Sequence, residues 1–218
     1  MSPTPKTPAK LDLRKQYKEL YNPPSKTAVI VDVPDFQYLM ITGAMEPGRT
    51  PETSPSYAAA LEALYGASYT LKFMSKRRAK NPIDYAVMGL EGQWWAEGEL
   101  DYNNKDNWHW NMMIMQPDHI DAAMWAEGRA QLKAKKDNPA IDQLRLERLR
   151  EGLCVQIMHL GPYSAEPPTI ERMHTYAFAQ GYKLRGRHHE IYLGDPRRTA
   201  PEKLKTVLRM PVERGVSK

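Results

Sequence analysis

One order of elements occurs twice along this chain, and it constrains the fold more than any single motif. The β-rich segment "YLMITG" (38–43) leads through a loop into a helical pattern over 55–78, then into "YAVMGL" (85–90) and "WHWNMMIM" (108–115). Later "VQIMHLG" (155–161) leads into a helical pattern over 166–180, then "HEIYL" (189–193) and "TVLRMPV" (206–212). Each opening strand ends in glycine. Tyr57, Leu61 and Leu64 in the first helix, and Ile170, Met173 and Ala177 in the second, fall at the 3.6-residue period of one buried face. Two strand–helix–strand–strand units predict an α+β fold with a mostly antiparallel sheet and helices on one side. A ligand pocket is expected where the units meet.

The remaining segments fill in around this order. Residues 11–20 read as a short helix, broken by "NPPSK". "TAVIVDVP" and "FQYLMITGA" read as two strands with a turn at Pro34 and Asp35, and Gly92 reads as a turn after "YAVMGL". A helix over 118–136 has Asp118 as N-cap, Asp121 in its first turn and lysines in its last. The alternation of "LRLERLR" allows a strand, and Gly181 is placed just past the second helix. The expected organisation is a flexible tail over 1–10 and a single domain over 11–218. Its modules, about 26–117 and 145–212, are joined by the 118–136 helix.

Composition removes several function classes. With 41% hydrophobic and 26% charged residues the chain is expected to fold as a soluble protein. No apolar run approaches the roughly 18 residues of a membrane helix. "MSPTPKTPAK" has no apolar stretch of the secretory kind, so a cytoplasmic location and no membrane partner are expected. The single cysteine, Cys154, sits in "GLCVQIMHLG" and reads as a small core side chain. The net charge of +5 is scattered, with small clusters at "KRRAK" and "KAKK" and no helix-turn-helix, zinc-finger or RNP signature, so no direct nucleic-acid partner is expected.

The chemistry concentrates in "GRHHEIYLGDPRR". In a strand, His188, Glu190 and Tyr192 share one face; His189, Ile191 and Leu193 share the other. If the second set faces the core, His189 needs a partner. Glu190 then faces either water or a cavity, since a buried unpaired carboxylate is costly. Tryptophans 94, 95, 108, 110 and 125 add aromatic surface. Trp94 and Trp95 point to opposite faces of a regular strand, and Trp108 and Trp110 share one. A carboxylate among aromatic rings attracts a flat, cationic or polarised ligand. His188 and Glu190 reach one ion at most as a pair, with no third ligand at a diagnostic spacing, so no metal and no cofactor are expected. Tyr163 stands in the loop after Gly161-Pro162, where site residues and corner-packing residues are equally at home. His159 reads as a hydrogen-bonded structural histidine.

Four segments, "LEGQWW", "CVQIMHLGPYSAEPPTIERMH", "GYKLRGRHHEIYLGDPRR" and "APEKLKTVLRMPV", together resemble the GyrI-like small-molecule-binding family, in its free-standing bacterial branch. The resemblance runs from about Lys26 to Val212 and is strongest over 151–212. It implies two strand–helix–strand–strand modules around a central pocket. Relatives include effector-binding domains of multidrug-responsive transcription regulators, where a pocket glutamate meets cationic ligands; the matching position is Glu190. Some free-standing members are hydrolases of cyclopropanoid genotoxins.

The resemblance implies a reaction these residues are able to support: hydration of an activated cyclopropane. Glu190 deprotonates a water, and Trp94 or Trp95, with Tyr163 and Tyr192, stacks on the ligand, with Trp110 also in the ligand-binding set. Tyr163, Tyr192 or His188 donates to the oxygen that gathers the electrons. Glu190 and Tyr163 are thus the catalytic candidates. The alternatives are a binder or sensor without chemistry, in which Glu190 is a counter-ion, and a protein acting by contact with DNA gyrase.

Overall fold

The computed structural model describes residues 10–98 and 105–215. Among these residues the chain forms β1 (Lys10–Leu11), α1 (Leu13–Gln16), α2 (Lys18–Tyr21), β2 (Val29–Ala44), α3 (Pro55–Arg77), β3 (Asp84–Tyr85), β4 (Glu91–Ala96) and β5 (Trp108–Gln116). It continues with α4 (Ala122–Lys133), β6 (Arg145–Leu160), α5 (Pro167–Ala179), β7 (Tyr182–Leu184), β8 (His188–Tyr192) and β9 (Lys205–Arg214). The strand–helix–strand–strand order recurs as β2-α3-β4-β5 and β6-α5-β8-β9. Most of the tail expected over 1–10 lies outside the described residues; Lys10 pairs with Asp84 in a short parallel ladder.

The strands hydrogen-bond in the order β6-β2-β5-β4-β8-β9, and β6 also pairs with β9, so the sheet closes into a six-stranded antiparallel barrel with β7 on its margin. Closure leaves no long unpaired edge. Side chains alternate between two faces. One face points into the closed sheet and carries Tyr38, Met40, Glu91, Met113, Met115, Cys154, His189, Ile191 and Arg209, all buried. The other carries Trp94, Trp110, Met112, Glu190, Ile157 and Leu208. It packs against Tyr57, Ala60 and Leu64 of α3 and against Ile170, Met173 and Ala177 of α5. Cys154 is fully buried, and burial pushes its thiol upward. No helix of the described residues is long and apolar enough to cross a membrane.

Four local readings of the sequence need correction. The strand read in "YAVMGL" (85–90) is displaced: β3 ends at Tyr85, and the strand that pairs with β5 is β4, Glu91–Ala96. Pro34 and Asp35 make no turn: β2 runs unbroken through them. Near Pro34, β2 is paired only with β6, since pairing with β5 begins at Gln37, so the missing proline N–H costs no ladder bond on that side. Gly92 is likewise inside β4. A Cβ there would lie 2.5 Å from Met112 Cε, the mobile end of that side chain, so this glycine sits in a closely packed stretch of strand and makes no turn. The N-cap of α4 is Asp121, whose carboxylate accepts from the Met124 N–H at 2.7 Å, whereas Asp118 pairs with Arg148. Ambiguous "LRLERLR" is the first half of β6, and Gly181 follows α5 with φ of 76°, the left-handed conformation that glycine adopts at least cost.

Candidate functional site

β8 sets the geometry. Its alternation turns His188, Glu190 and Tyr192 to the helix-covered face and His189 and Ile191 into the barrel. Glu190 is only 7% exposed. Its cross-strand neighbour on β4 is Gly92, which puts no side chain beside the carboxylate. Tyr192 donates to Glu190 Oε2 at 2.7 Å and accepts from Trp94 Nε1 at 3.0 Å, so the three residues form one chain of hydrogen bonds. His188 Nε2 lies 3.3 Å from Glu190 Oε1, within ion-pair reach but off hydrogen-bond alignment. Among the described residues no lysine or arginine pairs with Glu190.

Aromatic rings wall this carboxylate. Trp94 stacks on Tyr57 at 6.1 Å and 26°, and meets Trp108 at 5.6 Å. Tyr57 stands edge-on to Trp110 at 5.4 Å, and Tyr163 edge-on to Tyr192 at 5.5 Å. α3 supplies Tyr57, the turn before α5 supplies Tyr163, and the strands supply the rest. The tyrosines are held in their neutral form. Burial, then the Glu190 charge, pushes Tyr57 and Tyr192 up, and burial, then Glu166 and Glu190, pushes Tyr163 up to about 12.

The two tryptophans of β4 part company as alternation requires. Trp94 joins the Glu190 cluster. Trp95 lies on the other face, stacked on His109 at 5.6 Å with the Arg187 guanidinium 3.5 Å above its ring, and the structure does not bring it to Glu190. Trp110 is on the cluster's face but behind Tyr57, its ring packed flat against Gly43. His159 is hydrogen-bonded to Thr169 and near the Pro162 carbonyl, a structural arrangement.

The structure adds residues that pattern did not single out. Tyr57, read only as a helix core position, is in the wall. Glu166 is buried at the start of α5, and its carboxyl is pushed up to about 9 by burial and then by the Glu190 charge. Thr206 lies opposite Tyr192 on β9. His174 on α5 is lowered to about 4 by burial and then by His188. Several of these polar atoms lack a hydrogen-bond partner among the described residues: Glu166 Oε1, Thr206 Oγ1, His174 Nε2 and both ring nitrogens of His188. Buried polar groups are ordinarily paired with protein or water, so this gathering is a polar spot within an otherwise apolar wall. No group of three metal-ligating side chains exists among the described residues. A groove of about 710 Å³ lies elsewhere, between α3 and α4, and is lined by Tyr69, Phe73, Met124 and exposed charges; it shares no residue with the Glu190 cluster.

Comparison with known proteins agrees with this layout. A family model described as the GyrI-like small molecule binding domain matches residues 27–213. No curated protein matches the chain. Among solved structures, an uncharacterized conserved protein from Listeria innocua is 34% identical, with a TM-score of 0.85 over 93% of this chain and 100% of that one. A hydrolase from Listeria innocua, encoded by lin2189, is also 34% identical, with a TM-score of 0.82 over 94% of this chain and 100% of that one. The C-terminal domain of EcmrR is similar in fold alone, at 10% identity and a TM-score of 0.52 over 86% of this chain and 98% of that one.

Proposed function

The chain belongs to the GyrI-like small-molecule-binding family, and we propose that it takes a flat aromatic molecule against Trp94, Tyr57 and Tyr163 and opens a strained, carbonyl-conjugated cyclopropane by adding water. The single observation that carries this reading is the state of Glu190. It is a buried carboxylate with no lysine or arginine partner among the described residues, oriented by Tyr192, with His188 at 3.3 Å, and walled by aromatic rings. A Listeria innocua neighbour 34% identical over nearly the whole chain is described as a hydrolase, which supports hydrolytic chemistry.

Each residue has a task. Trp94 and Tyr57 offer stacked faces that fix the plane of the ligand; alignment of this kind lowers a barrier by about 7 kcal/mol at its best. The Tyr192 hydroxyl holds Glu190 Oε2, which leaves Oε1 to take a proton from the attacking water. The water oxygen bonds to the cyclopropane CH₂ carbon, the strained C–C bond breaks, and its electron pair moves through the conjugated ring onto the carbonyl oxygen. Tyr163, half-buried beside Tyr192, hydrogen-bonds that oxygen.

Mass spectrometry of a cyclopropanoid incubated with the protein tests the reading: catalytic gain of one water supports it. Glu190→Gln keeps the shape of the site but removes the base, so binding persists while turnover collapses. Undiminished turnover in that variant overturns the base assignment. An unchanged ligand with the native protein leaves a second reading, which the same unpaired carboxylate favours: a site that binds flat cations with Glu190 as counter-ion and performs no chemistry.

A further inference from the structure

We infer that Glu166 is a second functional carboxyl of this site, set beside Glu190 as its proton-donating counterpart. The local sequence "EPP" explains why this side chain is free. Glu166 occupies the N-cap of α5, where a side-chain oxygen ordinarily accepts a backbone N–H from the first turn. Pro167 and Pro168 fill the first two helical positions and have no N–H to give. The next two amides, of Thr169 and Ile170, bond the backbone carbonyl of Glu166 instead, at 2.8 and 3.0 Å. The carboxyl group therefore makes no cap bond and turns inward, where it is 4% exposed and its Oε1 has no partner among the described residues.

What surrounds it defines its chemistry. The charge of Glu190 on β8 reaches it, it couples to the hydroxyls of Tyr192 on β8 and Tyr163 in the preceding turn, and the Thr206 hydroxyl of β9 lies near it, while Lys105 is the one cation whose charge reaches it among the described residues. Little solvent reaches Glu166, and a negative charge there is opposed by burial first and by repulsion from the Glu190 carboxylate second. Those two effects outweigh the nearby Thr206 hydroxyl and the Lys105 charge, which lower it, and the carboxyl is held at about 9. Two carboxyl groups in one site, one without a lysine or arginine partner and one kept protonated, form an acid and base assignment. Tyr163, pushed up to about 12, is a weaker match to neutral pH as a proton source and serves as a hydrogen-bond donor.

The role rests on the hydration reading. As Glu190 takes the proton of the attacking water, the carbonyl oxygen receives the proton of Glu166 together with the electron pair released by the broken ring bond. The product is a phenol carrying a hydroxymethyl group. Glu166 ends ionised and Glu190 protonated, and proton exchange through solvent restores both; no co-reactant is consumed.

Kinetics with a cyclopropanoid whose ring is conjugated to a carbonyl tests this. The native protein is expected to lose kcat as pH rises through about 9. Glu166→Gln is expected to lower kcat at least about 100-fold with KM little changed, and to abolish that basic limb. His189 titrates in the same range on the other face of β8, so a limb that survives in Glu166→Gln belongs to His189 and, with kcat intact, overturns the proposal. Should the glutamine variant not fold, Glu166→Asp decides: a displaced limb and reduced kcat support the role, an unmoved limb at full rate overturns it. A native protein that binds the probe but never hydrates it overturns the hydration reading and the donor role together. A hydrating native protein with a fully active Glu166→Gln overturns the donor role alone.

Discussion

His189 and Glu190 are consecutive on β8 and face opposite sides of one sheet, one into an ionic network inside the barrel and the other into the aromatic-walled face under the helices. Inside the barrel, His189 Nδ1 is 3.0 Å from Glu151 and Nε2 is 3.1 Å from Glu91. Arg209 reaches Glu151 at 3.2 Å and also Gln156 and the Leu20 carbonyl; Tyr21 donates to Glu91 at 2.9 Å. A one-residue slip of β8 would exchange the two faces and set the Glu190 carboxylate against two others. The network therefore fixes the register that delivers Glu190 to the outer face.

Replacing His189 by leucine strips buried Glu91 of its positive partner and leaves Glu151 with Arg209 alone, and a loss of about 3–5 kcal/mol in unfolding free energy is expected. The pH dependence has a definite sign. Burial, the largest single effect, lowers His189, but the charges and bonds of Glu151 and Glu91 together outweigh it and raise the imidazole from 6.5 to about 9. Its contribution is thus complete below the unfolded value of 6.5 and is lost as pH rises through about 9. Glu151 has the opposite sign. Burial opposes its charge, His189 and Arg209 outweigh burial, and the carboxyl falls from 4.5 to about 2, so its contribution is lost as pH drops through that range. Urea unfolding of native protein and variant should differ most between about pH 4.5 and 6.5, and a difference that stays flat to pH 10 would sink this account.

Trp94 and Trp95 should separate cleanly in ligand binding. Trp94 touches Tyr57, Trp108 and, through its Nε1, Tyr192. Its replacement by alanine is expected to weaken binding of a flat aromatic probe at least about tenfold, the loss of one well-made aromatic contact. Trp95→Ala removes only the stack on His109 and the Arg187 contact, and leaves the affinity within about twofold. Fluorescence titration of both variants settles the matter; equal losses would contradict the placement.

The Glu166 carboxyl should cost the protein stability at alkaline pH. Its value is 4.5 when unfolded and about 9 when folded, so the folded state withholds an ionisation that the unfolded chain gains. The stability it confers is therefore present below pH 4.5 and is lost as pH rises towards about 9. Glu166→Gln is expected to become more stable than the native protein across that window, by on the order of a few kcal/mol at its upper end. Site residues that lower stability for the sake of function have this signature. Thermal melts at pH 5 and pH 8.5 test it, and a variant that loses stability at pH 8.5 would count against a protonated Glu166.

The parts of this arrangement legible in sequence are those with a short period. The twofold order of elements and the alternation of "HHEIYL" place Glu190, Tyr192 and His188 together and demand a partner for His189. Identity of the partner was not legible, because Glu91 and Glu151 reach His189 only through the pairing of β4 with β8 and the closure of the barrel. Pro34 and Gly92 misled for a related reason. Both residues usually interrupt strands, and here an unshared strand side and the side chain of Met112 override that local preference. Glu166 stands in a helix-start pattern, where an acid reads as a cap; the two prolines that deny it the cap are in the sequence, but its approach to Glu190 depends on how α5 lies over the sheet.

Gly43 and Trp110 offer a last test of how tightly the aromatic wall is set. A Cβ at Gly43 would stand 2.2 Å from Cζ2 and 2.5 Å from Cη2 of the Trp110 ring. The obstacle is a rigid indole that is 3% exposed, not the end of a flexible chain, so backbone or ring must move. Overpacking of this kind costs about 1–3 kcal/mol, and Gly43→Ala is expected to lower Tm by several degrees in a chain of this size. The damage should spread to the site, because Trp110 meets Tyr57 edge-on and Tyr57 stacks on Trp94, which is bonded to Tyr192. Adding Trp110→Leu to Gly43→Ala removes the clash, so the double variant should recover stability that the two single changes, summed, would not predict. Strictly additive losses would mean that the ring yields without effort and that the wall is softer than its packing implies.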